Sequence, residues 1–302
     1  SEADLDVASE AVGASARLPM LDPCVDTAAL LARVPPPSDP EVAEAVTQLD
    51  GELAKAAALE NAGRYEAGFE LAEQAWTQAQ GIEYLPIQAR AAWRLGSIEE
   101  ALARNDDAMQ HLAKAHWLAT AAGDSEHAAR SAAYLGYLHA QHRRNKESAA
   151  DWSELARANA ERLERPPRLW ATVINEQGEM EGANANYKAA VELHREALRT
   201  LEEHGAPGVA TTLQSLARAL NQTAEYDEAL ATIERAITLL SSELGAEHPK
   251  VAKAKGTQAH ILHRRGEYDR ALEIQREAVQ GLQAALGPGH VSTGDALINL
   301  GT

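Results

Sequence analysis

Sulfur and aromatic rings are scarce in this chain: 302 residues hold one cysteine and one phenylalanine, and aromatics make up 4% of the total. The lone Cys24 excludes an internal disulfide framework and fits a reducing compartment, so a cytoplasmic location is expected. No apolar run approaches the roughly 18 residues of a membrane span, and no charged-then-apolar leader opens the sequence. Val and Ile never alternate with polar residues over the length of a strand, which argues against a half-buried sheet. Basic residues are in deficit, 28 against 45 acidic, for a net charge of −17. That balance repels phosphate backbones and acidic lipid surfaces, so neither nucleic acid nor membrane insertion is expected.

The chain is instead rich in Ala, Leu, Glu and Arg, the composition of an all-α protein. It also repeats itself. The stretch from Gln222 to Ile237 nearly rhymes with that from Arg264 to Val279. Tyr226 and Tyr268 match Tyr187 and Tyr65, and small residues follow each at fixed distances, as with Ala229 and Ala236 or Ala271 and Ala278. A copy without the Tyr supplies Ala108 and Ala115. Upstream of these, Leu95-Gly96, Leu135-Gly136, Gln177-Gly178 and Leu300-Gly301 mark the middle of a preceding helix. Antiparallel helices pack closely only where their contact positions are small, which accounts for Gly and Ala at the crossings. The Gly or Ala two residues before each Tyr falls in the turn, where Gly63 and Gly266 tolerate positive φ.

These residues resemble the tetratricopeptide repeat, which implies a right-handed superhelical solenoid of antiparallel helix pairs. The repeats are placed at about 39–82, 84–123, 126–165, 167–205, 207–247 and 249–289, with the first helix of another at 291–302. The copy at 126–165 fits worst, since His142 to Ser148 replace the turn Gly and the Tyr. The linkers at Glu243 to Pro249 and Ala285 to His290 are similar to those of kinesin-light-chain-type repeats. Trp76, Trp117 and Trp152 fall on second helices, where packing is the expected role.

Residues 1–37 form a lead-in ending in the Pro35–Pro37 cluster, and Asp39-Pro40 or Ser38 reads as the start of the first repeat helix. The stretch Leu18 to Pro37 resembles the segment that joins kinase and repeat regions in myxobacterial-type multidomain serine/threonine protein kinases. That resemblance implies an ATP-dependent kinase as parent protein and a non-catalytic piece here. The opening Ser and the end just past Leu300-Gly301 both read as cuts within a longer chain, so the last residues are expected to fray or to bury an apolar face elsewhere. Cys24 is expected to be a buried small apolar residue of the lead-in.

No sequence motif for catalysis is present: no Gly-rich nucleotide loop, no H-R-D or D-F-G, no nucleophile elbow. His260 with His263, and His139 with His142, stand at i, i+3, but two ligands fall short of a zinc set, so no metal and no cofactor is expected. The carboxylates alternate with Arg along solvated helix faces.

In the implied fold the first helix of each repeat lines a concave groove. The groove-facing positions are Arg90, Trp93, Arg94 and Ser97; then Arg130, Tyr134 and Tyr137; then Asn175 and Glu179. Arg218, Asn221 and Gln222 follow, and last Lys253, His260, His263 and Arg264. Amide and guanidinium donors with aromatic faces suit an extended peptide or a protein partner. The competing reading is that the same groups are solvated or paired with Glu179 and its neighbours. Two functions follow: an interaction module attached to a kinase, or a free-standing peptide sensor.

Overall fold

The computed structural model describes residues 34–142 and 145–301; the lead-in with Cys24 and Leu18 to Ala32 lies outside them. Thirteen α-helices follow one another among the described residues, with no strand. They pair as α1 (Pro40–Asn61) with α2 (Tyr65–Ala79), α3 (Leu85–Ala101) with α4 (Asn105–Ala121), and α5 (Ser125–Gln141) with α6 (Lys146–Arg162). Next come α7 (Pro167–Ala183) with α8 (Tyr187–Glu203), α9 (Val209–Gln222) with α10 (Tyr226–Leu244), and α11 (Pro249–Arg265) with α12 (Tyr268–Leu286). The last helix, α13, spans Val291–Gly301.

Each helix packs on the next in sequence, and the odd-numbered helices also touch one another in order, from α1 to α3 through to α9 and α11. Burial separates two layers. The odd helix α3 buries eleven of its 17 residues, whereas the even helix α6 buries three of 17, all Ala. Odd helices therefore form the inner wall and even helices the outer one, as a stack of pairs requires when one pair cannot cover its own apolar face.

Local chemistry sets the ends. Asp39 caps α1, its Oδ1 accepting from the backbone N–H of Glu41 at 2.8 Å, and Pro40 occupies the first turn, as the sequence predicts. The turns two residues before each Tyr do take positive φ, 72° at Gly63 and 93° at Gly266, with Ala185 and Ala224 near 65°. The poorly matching third pair folds like the others because Asn145 replaces the missing turn signal, its side chain accepting from Ser148 N at 3.1 Å to cap α6. At the crossings a side chain would collide: a Cβ on Gly96 would stand 2.9 Å from Leu112 Cγ and 3.1 Å from the Ala108 carbonyl.

Two expectations change. Trp117 does not pack into the core; it is 57% exposed on the outer face of α4, with its ring edge against His116 and Trp152. The cause is that its neighbours His116 and Leu118 take the buried positions of that turn. At the other end, fraying, one of the two outcomes expected there, does not occur: the last helix runs to Gly301, while the other, an apolar face left open for burial elsewhere, is compatible with what is seen. Gln275 Nε2 donates to the Ala296 carbonyl at 2.7 Å and Ala296 is buried, while Leu297 and Ile298 face outward.

The superhelix closes on itself. His248, at the start of α11, donates from Nε2 to the Asn61 carbonyl at the end of α1, 2.7 Å away and 187 residues earlier. Its Nδ1 accepts from Lys250 N at 3.1 Å, which fixes the neutral tautomer, and burial lowers the imidazole's affinity for a proton. Pro249 packs on the turn below it, so close that a Cβ on Gly63 would lie 2.6 Å from Pro249 Cγ. The described helices thus form a ring rather than an open arc.

Three outcomes follow for stability and shape. Gly96→Val should lower unfolding free energy by about 1–3 kcal/mol through overpacking. Gly51→Ala, in mid-helix with nothing within 4 Å of the added methyl, should raise it by about 0.5–1 kcal/mol; urea titration reads both. His248→Ala should open the ring without unfolding the helices, seen as a larger radius of gyration in solution scattering with unchanged circular dichroism.

Candidate functional site: the enclosed channel

Ring closure turns the concave groove into a channel walled by the odd helices, and three adjoining cavities run along it. The first, about 390 Å³, is bounded by Trp93, Arg94, Arg130, Arg168, Asn175 and Glu176 and sealed by Glu60, Asn61, Leu244 and Lys250 at the closure. The second, about 190 Å³, shares Tyr134, Asn175 and Glu176 with it and adds Tyr137, Glu179 and Arg218. The third, about 540 Å³, continues from Tyr137 and Arg218 to Lys253 and His260.

Carboxylates from one inner helix meet arginines from the next, and this pairing fixes the wall. Arg90 reaches Asp50 at 3.1 Å. Glu60 accepts from Arg94 on one oxygen at 2.5 Å and from Ser97 Oγ on the other at 2.7 Å. The arrangement recurs where Glu179 on α7 accepts from both Ser215 (2.5 Å) and Arg218 on α9. Burial alone would raise the Glu179 pKa, but Arg218, His194 and Ser215 outweigh it and hold the carboxyl below its usual range. His194, buried behind that pair, donates from Nδ1 to Asn175 Oδ1 at 3.1 Å and has its pKa pushed down to about 4 by burial, so it is neutral.

Glu176 behaves oppositely. Burial, reinforced by the nearby charges of Glu179 and Glu100, lifts its pKa to about 8, against the smaller opposing effects of the Asn175 amide at 3.4 Å and Arg218. At neutral pH it carries a proton. Two neighbouring carboxyls on one helix turn thus hold different charges, because only one of them has an arginine.

Of the positions expected to line the groove, Trp93, Arg94, Arg130, Tyr134, Tyr137, Asn175, Arg218, Lys253 and His260 border the channel. Arg90 is engaged with Asp50 at the wall's edge. Asn221 is buried and bonds His260 Nδ1 at 3.2 Å. His263 stacks edge-on against Tyr268 at 5.3 Å and lines a separate cavity of about 380 Å³ between α12 and α13. Arg264 lies over Tyr226 at 6.0 Å and faces none of the three channel cavities. These last two sit at the final turn of α11, beyond the reach of the closure. The proposed pairing with Glu179 is real for Arg218, which nevertheless remains 49% exposed to the channel.

Sequence reasoning missed Glu60, Glu100, Arg168, Glu176 and Lys250. Arg168 sits two residues beyond Pro166 at the start of α7, one turn earlier than the repeat markers point. Lys250 enters only because the ring closes, and no local signal announces that; Glu60 enters through its bonds to Arg94 and Ser97 on the next inner helix. Among the described residues no group of three His, Cys, Asp or Glu side chains could hold a metal, and no helix is long and apolar enough to cross a membrane.

Comparison with known proteins agrees with the fold. Residues 169–242, 208–284 and 250–302 match the tetratricopeptide repeat family. No curated protein sequence matches the chain. Among solved structures, a Rap protein complexed with competence and sporulation factor superposes with a TM-score of 0.61 at 14% identity, covering 82% of this chain and 72% of that one. The signal transduction ATPase with numerous domains (STAND) protein with a tetratricopeptide repeat sensor from Pyrococcus horikoshii gives 0.57 at 13% identity. That match covers 76% of this chain and 34% of the other, so the chain spans about a third of that relative. Repeats of a protein named as a kinesin light chain, from Podosopora anserina, share 17% identity at a TM-score of 0.35, over 80% of this chain and 98% of that one.

The Glu176 proton gives a pH signature. A carboxyl whose folded pKa is raised to about 8 keeps its proton in the folded state over a range where the unfolded chain has released it. Its contribution to stability therefore declines as pH rises from about 5 to about 8. Glu176→Gln should remove that decline, leaving the variant more stable than the parent at pH 8.5 and similar at pH 5 in thermal melts. Carboxyl NMR should show one glutamate titrating near 8 in the parent and none there in the variant.

Proposed function

We propose that this chain is a non-catalytic binding module that receives an extended peptide, or an extended segment of a partner protein, inside the closed channel. The observation that carries this reading is the closure at His248 and Asn61. It converts a curved wall into a ring with a run of adjoining cavities whose lining mixes fixed ion pairs with aromatic faces and amide donors. Such a lining suits a chain in extended form, whose backbone amides pair with side chains such as Asn175 and Gln214. A Rap protein of similar fold is named as complexed with competence and sporulation factor, which supports a binding use of the fold. Fixed lining also favours affinity, because Arg94, Arg218 and Glu179 are already held before a ligand arrives.

We further read the parent protein as a serine/threonine kinase for which this module recruits partners. The support is the lead-in from Leu18 to Pro37, and an upstream H-R-D and D-F-G in the coding sequence would be the direct check.

The test of the channel is capture from a pool of random hexapeptides, with affinity of the captured peptides measured by calorimetry. Thr211→Trp, at an exposed position bordering the first cavity, should fill that space and weaken binding at least about tenfold without altering helix content. Equal binding by the variant would place the site elsewhere on the molecule.

A further inference from the structure

The first channel cavity is unlike the rest of the molecule in its charge. Four cations border it, Arg94, Arg130, Arg168 and Lys250, in a chain whose net charge is −17. Arg94 is neutralised by Glu60, but Arg130, Arg168 and Lys250 form no ion pair among the described residues. Of the remaining acids on the wall, Glu176 holds a proton at neutral pH and Glu243 stands on the far side, at the end of α10.

A second observation points the same way. Trp93 is nine-tenths buried, and its indole N–H is cut off from water with no hydrogen-bond partner. The ring carries Arg130 on it, guanidinium carbon 4.3 Å from the centroid, as well as Arg94 at 4.8 Å. This stacking holds the Arg130 fork in place without consuming its N–H donors, a rigid posture suited to a planar acceptor. On the opposite wall α9 begins at Gly208 with no side-chain cap, and Pro207, Gly208 and Thr211 border the cavity.

We propose that this cavity is a carboxylate-binding subsite, in which Arg130, Arg168 and Lys250 hold an acidic group of the bound peptide. The inference rests on the peptide-channel reading above and specifies its ligand: a short acidic peptide, not a basic or wholly apolar one. Arg130 supplies the oriented bidentate partner, Arg168 the exposed one, and Lys250 a point charge at the closure. The local positive site also explains how an acidic peptide could be accepted by a protein of the same overall sign. The carboxylate can come from an Asp or Glu side chain or from the peptide's own C-terminus; both present the same two oxygens.

The experiment uses the hexapeptide pool again, split into members with free and with amidated C-termini. Enrichment of Asp and Glu, or of free over amidated ends, is the expected result, and which of the two is seen identifies the source of the carboxylate. Arg168→Gln, at an exposed position where folding is undisturbed, should weaken the selected peptides about tenfold, in line with loss of one charged hydrogen bond. Lys250→Gln should do the same, and the binding should fall with added salt. Arg168→Glu should reverse the preference toward Lys-bearing peptides. If peptides bind and Thr211→Trp blocks them, yet neither acidic enrichment nor any effect of Arg168→Gln and Lys250→Gln appears, the subsite is refuted and the channel reading stands. If no peptide is captured, both fall.

Discussion

One contact organises the molecule: the neutral imidazole of His248, donating to the last carbonyl of α1 while accepting from its own helix. A solenoid of helix pairs is by construction open-ended, each repeat touching only its neighbours. Here the pitch brings the start of α11 onto the turn after α1, and Pro249 fills the space that Gly63 leaves vacant. The hydrogen bond itself contributes on the order of 1 kcal/mol. Its larger effect is geometric, because it seals the first cavity with Lys250 on one side and Glu60 on the other.

Inside the ring, charge is distributed by neighbour rather than by residue type. Glu60 and Glu179 each hold an arginine and a serine from the following inner helix, which ties the two helices together, and at Glu179 the partners keep the carboxyl below its usual range. Glu176, one helical turn from Glu179, has no such partner and keeps its proton. The channel is consequently a rigid, striped surface: paired segments at Arg94 and Arg218, a neutral segment at Tyr134, Tyr137 and Glu176, and an unpaired positive segment at Arg130 and Arg168.

The outer layer contributes differently. Among its helices α6 buries only three Ala and exposes most of the rest, so it tolerates a poor repeat signature once Asn145 caps it. The exposed Trp117 belongs to this layer. Spacing placed it on a second helix correctly, but the rotation of that helix is set by its contacts with both α3 and α5, and those turn Leu118 and His116 inward instead.

The sequence by itself determined the helical class, the pairing of helices, the turn positions and most of the channel wall. Those depend on local rules: Gly96 where helices cross, Gly63 and Ala224 where φ must be positive, and Tyr and Ala at fixed distances from each turn. Trp93, Arg130, Asn175 and Arg218 were legible because inner-helix positions repeat with the period. Only the tertiary structure decided that the groove is a closed channel, that Lys250 and Glu60 belong to it, and which of its charges are free. Superhelical pitch accumulates from small rotations at every helix contact, and no short window of sequence contains that sum. For the same reason Gly63 reads locally as a turn glycine, and only the ring shows that it must also stay small to admit Pro249.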